Sequence, residues 1–258
     1  MALQKIKLDE GGEWPGGAVL IFGPYAVGKT DLLGDMLATE QAHGPVMYAN
    51  MKGEDGWATL RNKGLKDGII YDITSFDDFL EFLDLADKEK PRAIAGDSLK
   101  WLYELAKQKK TGGKRVPITG DFKTNEYPEI QFWLHQAMTR VRRSAKYVVF
   151  TCPADVSKDM TKEAETGVEQ KARLTPDLGG KMDYQAMTWF DLAGYLTSDT
   201  RHIGGKPVTE RKLTAYTTNR ILARQRGIPL KEDIVIPEGP GGWNVILTAI
   251  NKAYKGGQ

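Results

Sequence analysis

The residues Gly23-Pro24-Tyr25-Ala26-Val27-Gly28-Lys29-Thr30 fill the pattern G-x-x-x-x-G-K-[ST]. In that pattern successive backbone N–H groups wrap phosphates, the lysine reaches the β and γ phosphates, and the hydroxyl ligates Mg²⁺. The pattern needs a strand before it and a helix after it. Ala18 to Phe22 is a short apolar run of the kind buried on both faces of a sheet. From about Lys29 the apolar residues Leu32, Leu33, Met36 and Leu37 recur at helical spacing, until His43-Gly44-Pro45 stops them. Gly23 and Gly28 permit the tight turn, and the helix N-terminus favours an anion. The expected ligands are therefore ATP, cradled by Gly23 to Thr30, and Mg²⁺.

A magnesium ion beside phosphates takes one or two carboxylates or hydroxyls from the protein. Thr30 supplies one oxygen. Asp97, which ends the apolar run Ala93-Ile94-Ala95-Gly96, is the expected second, and with Ser98 it also suits the cap of the helix that starts at Leu99. Hydrolysis further needs a group that orients water. Glu54, with Asp55 beside it, meets that need if the loop Asn50-Met51-Lys52-Gly53 bends back over the γ phosphate; otherwise both are solvated loop carboxylates. Thr151 at the end of a later strand is a candidate γ-phosphate sensor, as is Cys152, which otherwise reads as a small buried hydrophobe.

The elements that position these groups follow from periodicity. Strands are expected at Ala18 to Phe22, Val46 to Ala49, Arg92 to Gly96 and Tyr147 to Thr151. Helices are expected from Ser75, a cap followed by two aspartates, up to Pro91, over Leu99 to Leu105, and over Glu126 to Arg143, where Ile130, Trp133, Leu134, Ala137, Met138 and Val141 share a side. Such alternation implies βαβ units and a mostly parallel sheet. Ala186 to Leu196 and Arg211 to Thr218 read as further strands, and Gly242 to Tyr254 as a closing helix. With no Gly/Ser or Pro-rich linker, the 258 residues are expected to form a single α/β domain, its core about 14–200 and a β-rich C-terminal extension over 201–258.

Composition narrows the class. Hydrophobic residues at 41% and charged residues at 27% exclude collagen-like and wholly disordered chains. Lys plus Arg total 36 against 34 for Asp plus Glu, so overall charge argues for neither nucleic acid nor membrane, and only local clustering can. A single cysteine rules out an intramolecular disulfide. The start of the chain has no apolar signal region and no apolar run reaches membrane length, so a reducing cytoplasmic setting is expected. His43, His135 and His202 are isolated and suggest no metal site.

In the order Gly23 to Thr30, Val46 to Glu54, Ala93 to Ser98 and Tyr147 to Cys152, the chain resembles the RecA-like P-loop ATPase core. It is most similar there to bacteriophage nucleotide-binding proteins that include the RecA-core single-strand annealing proteins. The late segment Leu222-Ala223-Arg224-Gln225-Arg226-Gly227 resembles a Lys-x-Arg element of this group, which approaches nucleotide on the neighbouring protomer. The resemblance implies a homo-oligomer with ATP at the protomer interface, Arg224 in the lysine place and Arg226 in the arginine place. It also implies action on single-stranded DNA in phage recombination or replication, in the host cytoplasm. RecA-like proteins usually place a catalytic glutamate at the end of the second strand, where this chain has Asn50-Met51, so Glu54 serves only through a shifted loop.

Lys107, Lys109, Lys110, Lys114 and Arg115, followed by Phe122 and Tyr127, have the composition of an element that tracks a nucleic-acid backbone and stacks on bases. A second loop, Asp155 to Arg173, mixes both charges and weakens that reading. Two other functions compete: a virion structural or assembly protein that keeps the fold as an interaction scaffold with phage protein partners, and a small-metabolite P-loop kinase. The kinase lacks an arginine-rich lid in the sequence.

Overall fold

The protein is described from a computed structural model, over residues 12–53, 56–66, 68–112, 127–157, 173–203 and 206–256. Its first unit is β1 (Gly17–Gly23), the phosphate loop, and α1 (Lys29–Glu40), after which β2 (Val46–Met51) returns beside it. A short helix α2 (Trp57–Leu60) and a 3₁₀ turn (Arg61–Lys63) lead to β3 (Ile70–Ile73). Then come α3 (Phe76–Glu89), β4 (Ala93–Asp97), α4 (Leu99–Lys110), α5 (Tyr127–Ser144) and β5 (Tyr147–Ser157). The remaining elements are β6 (Arg173–Pro176), α6 (Lys181–Met187), β7 (Leu192–Ile203), β8 (Lys206–Thr214), β9 (Arg224–Gln225), β10 (Ile234–Ile236) and α7 (Gly242–Gly256).

The sheet runs β10-β8-β7-β1-β5-β4-β2-β3, with β6 on β5 and β9 on β7. From β7 across to β3 every neighbouring pair is parallel, and β8 and β10 extend the sheet antiparallel. This is the anticipated α/β architecture, a mostly parallel central sheet flanked by helices. Side chains on β1 alternate between two cores: Ala18, Leu20 and Phe22 face the layer of α3, α4 and α5, while Val19 and Ile21 face α1 and α7. A strand buried on both faces carries no polar side chain that would mark it as amphipathic, which is why β1 reads as a continuous apolar run. Because β8 and β10 belong to this sheet and α7 packs against α1, the segment after residue 200 is continuous with the core.

Ser75 caps α3 as expected: its hydroxyl accepts from the Asp78 N–H at 3.1 Å, and the Asp78 carboxylate accepts from the Ser75 N–H at 2.9 Å. Other expectations need correction. Ala186 and Met187 end a helix rather than begin a strand; Met182 and Ala186, four residues apart, bury the same helical face, and β7 starts only at Leu192. The strand expected at Arg211 to Thr218 lies earlier, as β8. Helix α4 continues to Lys110, helped by three lysines in its last turn that suit the negative end of the helix. Among the described residues no helix is long and apolar enough to cross a membrane.

Candidate functional site

Gly23 closes β1 and lies so near the neighbouring strand that an added Cβ would stand 2.4 Å from the Leu196 carbonyl oxygen. Pro24, Tyr25, Ala26 and Val27 carry the loop outward, and Gly28 returns it at φ 88° as the N-cap of α1. Gly28 brings no side chain to the helix end, so first-turn N–H groups are left to face a ligand. Lys29 and Thr30 are the first residues of that helix. The Lys29 ammonium donates to the carbonyls of Gly23 at 3.0 Å and Pro24 at 2.6 Å, which holds it across the mouth of its own loop.

Thr30 and Asp97 stand in direct contact. Thr30 Oγ1 donates to Asp97 Oδ2 at 2.7 Å, joining the start of α1 to the end of β4. Asp97 is buried, and its other oxygen accepts from the Thr151 hydroxyl on β5. Tyr48 Oη, from β2, approaches Oδ2 at 3.4 Å. Thr151 thus holds the Asp97 carboxylate in place. Cys152 faces the opposite, apolar side of β5, where burial pushes its thiol well above the usual range. Ser98 occupies the N-cap position of α4, but its hydroxyl makes no capping hydrogen bond to that helix.

A cleft of about 310 Å³ opens over these groups, bordered by the phosphate loop, Thr59, Asp97, Ser98 and Pro153. One hydroxyl and one carboxylate, both hard oxygen donors beside a phosphate cradle, suit Mg²⁺ completed by nucleotide oxygens and water. No group of three or more His, Cys, Asp or Glu side chains able to hold a metal occurs among the described residues.

Glu54 and Asp55 lie outside the described residues. Their neighbours do not: Gly56 returns the chain to the site, where an added Cβ would meet Tyr48 Oη at 2.3 Å and both Asp97 Oδ2 and Thr30 Cγ2 at 3.1 Å. Asn50, at the end of β2, is turned away; its amide donates to Asp72 on β3 at 2.8 Å.

Sequence reasoning missed Arg211 and Lys63. Arg211, on β8, reaches behind the loop to Asp31 Oδ2 at 2.8 Å and the Gly28 carbonyl at 3.5 Å. Lys63 pairs with Asp31 and, at 2.8 Å, with Asp35. Burial alone would raise the Asp31 carboxyl, but hydrogen bonds from Lys63 and Arg211 hold it below its usual value. A lone arginine in a strand leaves no sequence signal of such a partner.

Arg224 and Arg226 are not at this chain's own phosphates. Arg224 pairs with Ala193, level with Leu20 in mid-strand, and its Nε is buried with no hydrogen-bond partner among the described residues. Arg226 falls just past β9, so the two do not share one strand face. It donates to the Thr188 carbonyl at 3.3 Å and lies 3.8 Å from Asp191, at the end of β1 away from Gly23. In the first basic cluster, Lys107, Lys109 and Lys110 lie on α4 and pair with Glu104, Asp77 and Glu129. Lys114, Arg115 and Phe122, and most of the second loop, lie outside the described residues.

A phosphate-wrapping loop between a buried strand and a helix, backed by a bonded threonine–aspartate pair, defines a P-loop nucleotide-binding domain. The chain belongs to the AAA domain family, whose sequence profile matches residues 16–227. Among solved structures it is similar to the flagellar accessory protein FlaH from Methanocaldococcus jannaschii, at 14% identity and a TM-score of 0.44, over 89% of this chain and 88% of that one. Comparison with curated protein sequences finds no match.

Proposed function

We propose that this protein binds MgATP in the cleft over Thr30 and Asp97 and hydrolyses it. The observation that carries the reading is the 2.7 Å bond between Thr30 and Asp97, set beneath a complete phosphate loop. In the mechanism, loop and first-turn N–H groups hold the phosphate oxygens, and Lys29 exchanges the Gly23 and Pro24 carbonyls for the β and γ phosphates. Thr30 and Asp97 would hold Mg²⁺, which would neutralise charge on the phosphates, while Thr151 and Tyr48 fix the Asp97 carboxylate. Glu54 is the proposed water-orienting base, supported by the return of Gly56 to Thr30 and Asp97. The test is phosphate release from ATP with Mg²⁺ present and chelated; no turnover and no ATP binding would overturn the reading. Glu54→Gln should lower turnover far more than binding, because the amide keeps the shape and loses the base.

In the finer reading the protein forms a homo-oligomer in which Arg224 and Arg226 meet a neighbour's nucleotide, acting on single-stranded DNA in phage recombination. The half-exposed Arg226 guanidinium, away from its own loop, supports the first part. The pairing of the three lysines in the last turn of α4 with carboxylates leaves DNA with little support among the described residues. Stimulation of turnover by single-stranded DNA decides this point.

A further inference from the structure

Lys100 stands in the first turn of α4, three residues beyond Asp97, and its ammonium is paired with the Asp177 carboxylate. Asp177 directly follows β6, and its N–H donates to the Pro153 carbonyl at 2.8 Å. Ser98 and Pro153, which flank this pair in the chain and by hydrogen bond, both border the nucleotide cleft. The ion pair therefore lies next to two residues of the cleft's border and ties the helix after Asp97 to the end of the strand that pairs with β5. The sheet register brings it close to the phosphate loop: Pro153 is paired with Gly23, the first residue of that loop, whose carbonyl accepts from Lys29 at 3.0 Å.

Resting on the nucleotide-binding reading above, we propose that Lys100 recognises the terminal phosphate of the bound nucleotide by exchanging Asp177 for it. A triphosphate then loosens the tie between α4 and β6, and a diphosphate leaves it closed. The exchange is favourable in kind. Both partners are about one-third or one-quarter exposed, where an ion pair contributes little, whereas a terminal phosphate carries more charge and accepts charge-assisted hydrogen bonds. Lysine suits the task, being a point charge on a flexible stem that can swing between two acceptors. Asp177 is also placed to pass the change on. The next two N–H groups, of Leu178 and Gly179, donate to Asp183 at 3.0 and 2.6 Å, so a shift at Asp177 acts on a segment already strapped to α6.

The test compares the imido analogue of ATP with ADP, both with Mg²⁺, by titration calorimetry on wild type, Lys100→Met and Asp177→Asn. Lys100→Met should weaken the triphosphate about tenfold and ADP less than about twofold, the loss of one charge-assisted contact. Asp177→Asn should tighten the triphosphate about threefold by removing the competing carboxylate, again sparing ADP. Equal effects on both nucleotides, no effect on either, or weaker triphosphate binding by Asp177→Asn would overturn the proposal. If Lys100→Met does not fold, Asp177→Asn decides alone. Failure of wild type to bind either nucleotide would instead remove the nucleotide reading itself, a result plainly distinct from a loss of discrimination.

Discussion

Arg211 and Asp31 are 180 residues apart in the chain, yet the Arg211 guanidinium donates to the Asp31 carboxylate at 2.8 Å and also approaches the carbonyl of Gly28. The antiparallel extension of the sheet thus holds the loop that meets the phosphates. Arg211 is buried, so Arg211→Gln leaves Asp31 to Lys63 alone and the Gly28 carbonyl without a cationic donor. Stability should fall by about 2 kcal/mol, less than the roughly 3–5 kcal/mol that breaking a fully buried pair costs, because Asp31 is partly solvated. ATP affinity should fall as well. A urea midpoint and an ATP affinity both equal to wild type would show that the loop holds its shape without this anchor.

Lys29→Ala removes a cation from the mouth of the loop and opens no core cavity. ATP affinity should drop about 30-fold or more, the scale of lost hydrogen bonds to a charged group, with little change in the unfolding midpoint. Unchanged affinity in the folded variant would dissociate the loop from nucleotide binding.

How far the site could be read in advance follows from the range of each interaction. Gly23 to Thr30 is local: eight consecutive residues dictate a backbone shape, and the structure forms it. Asp97 was legible because an apolar strand ending in a carboxylate beside such a loop has few other uses. By contrast, Arg211 acts through a contact between β8 and α1, and Tyr48 acts through the register that sets it two residues before Asn50 on a buried strand. Neither leaves a local pattern. The misread segment at Ala186 fails for a related reason, since the apolar run through Met187, Trp189 and Phe190 suits a buried helix end and a buried strand equally. The short edge strand β3 was missed because only Ile73 on it is buried, so it carries no apolar stripe.

Gly56 has no room for a methyl group: an added Cβ would stand 2.3 Å from the hydroxyl of the fully buried Tyr48 and 3.1 Å from the Asp97 carboxylate. Gly56→Ala should cost about 1–3 kcal/mol through overpacking and displace Tyr48 or Asp97. The specific sign is a higher Mg²⁺ concentration for half-maximal turnover. An unaltered Mg²⁺ requirement would mean that the chain after Glu54 does not press on the metal site.

Asp183 gives the fold a pH dependence opposite in sign to that of a salt-bridged carboxylate. Burial raises its pKa to about 6, N–H groups of Leu178 and Gly179 partly oppose the rise, and the charges of Asp177 and Asp155 add to it. In the unfolded chain the same group titrates near 4. Because the folded value is the higher, the folded protein binds more protons between these values, and stability falls as pH rises. The contribution is fully present below about pH 4 and lost as pH passes through about 6, amounting to roughly 2–3 kcal/mol. Asp183→Asn keeps an oxygen to accept from Leu178 and Gly179 but cannot ionise. Urea unfolding at pH 4.5, 5.5 and 6.5 should therefore show wild type losing stability relative to the variant at each step. Parallel curves for the two proteins would place the Asp183 carboxyl in an environment as well solvated as that of the unfolded chain.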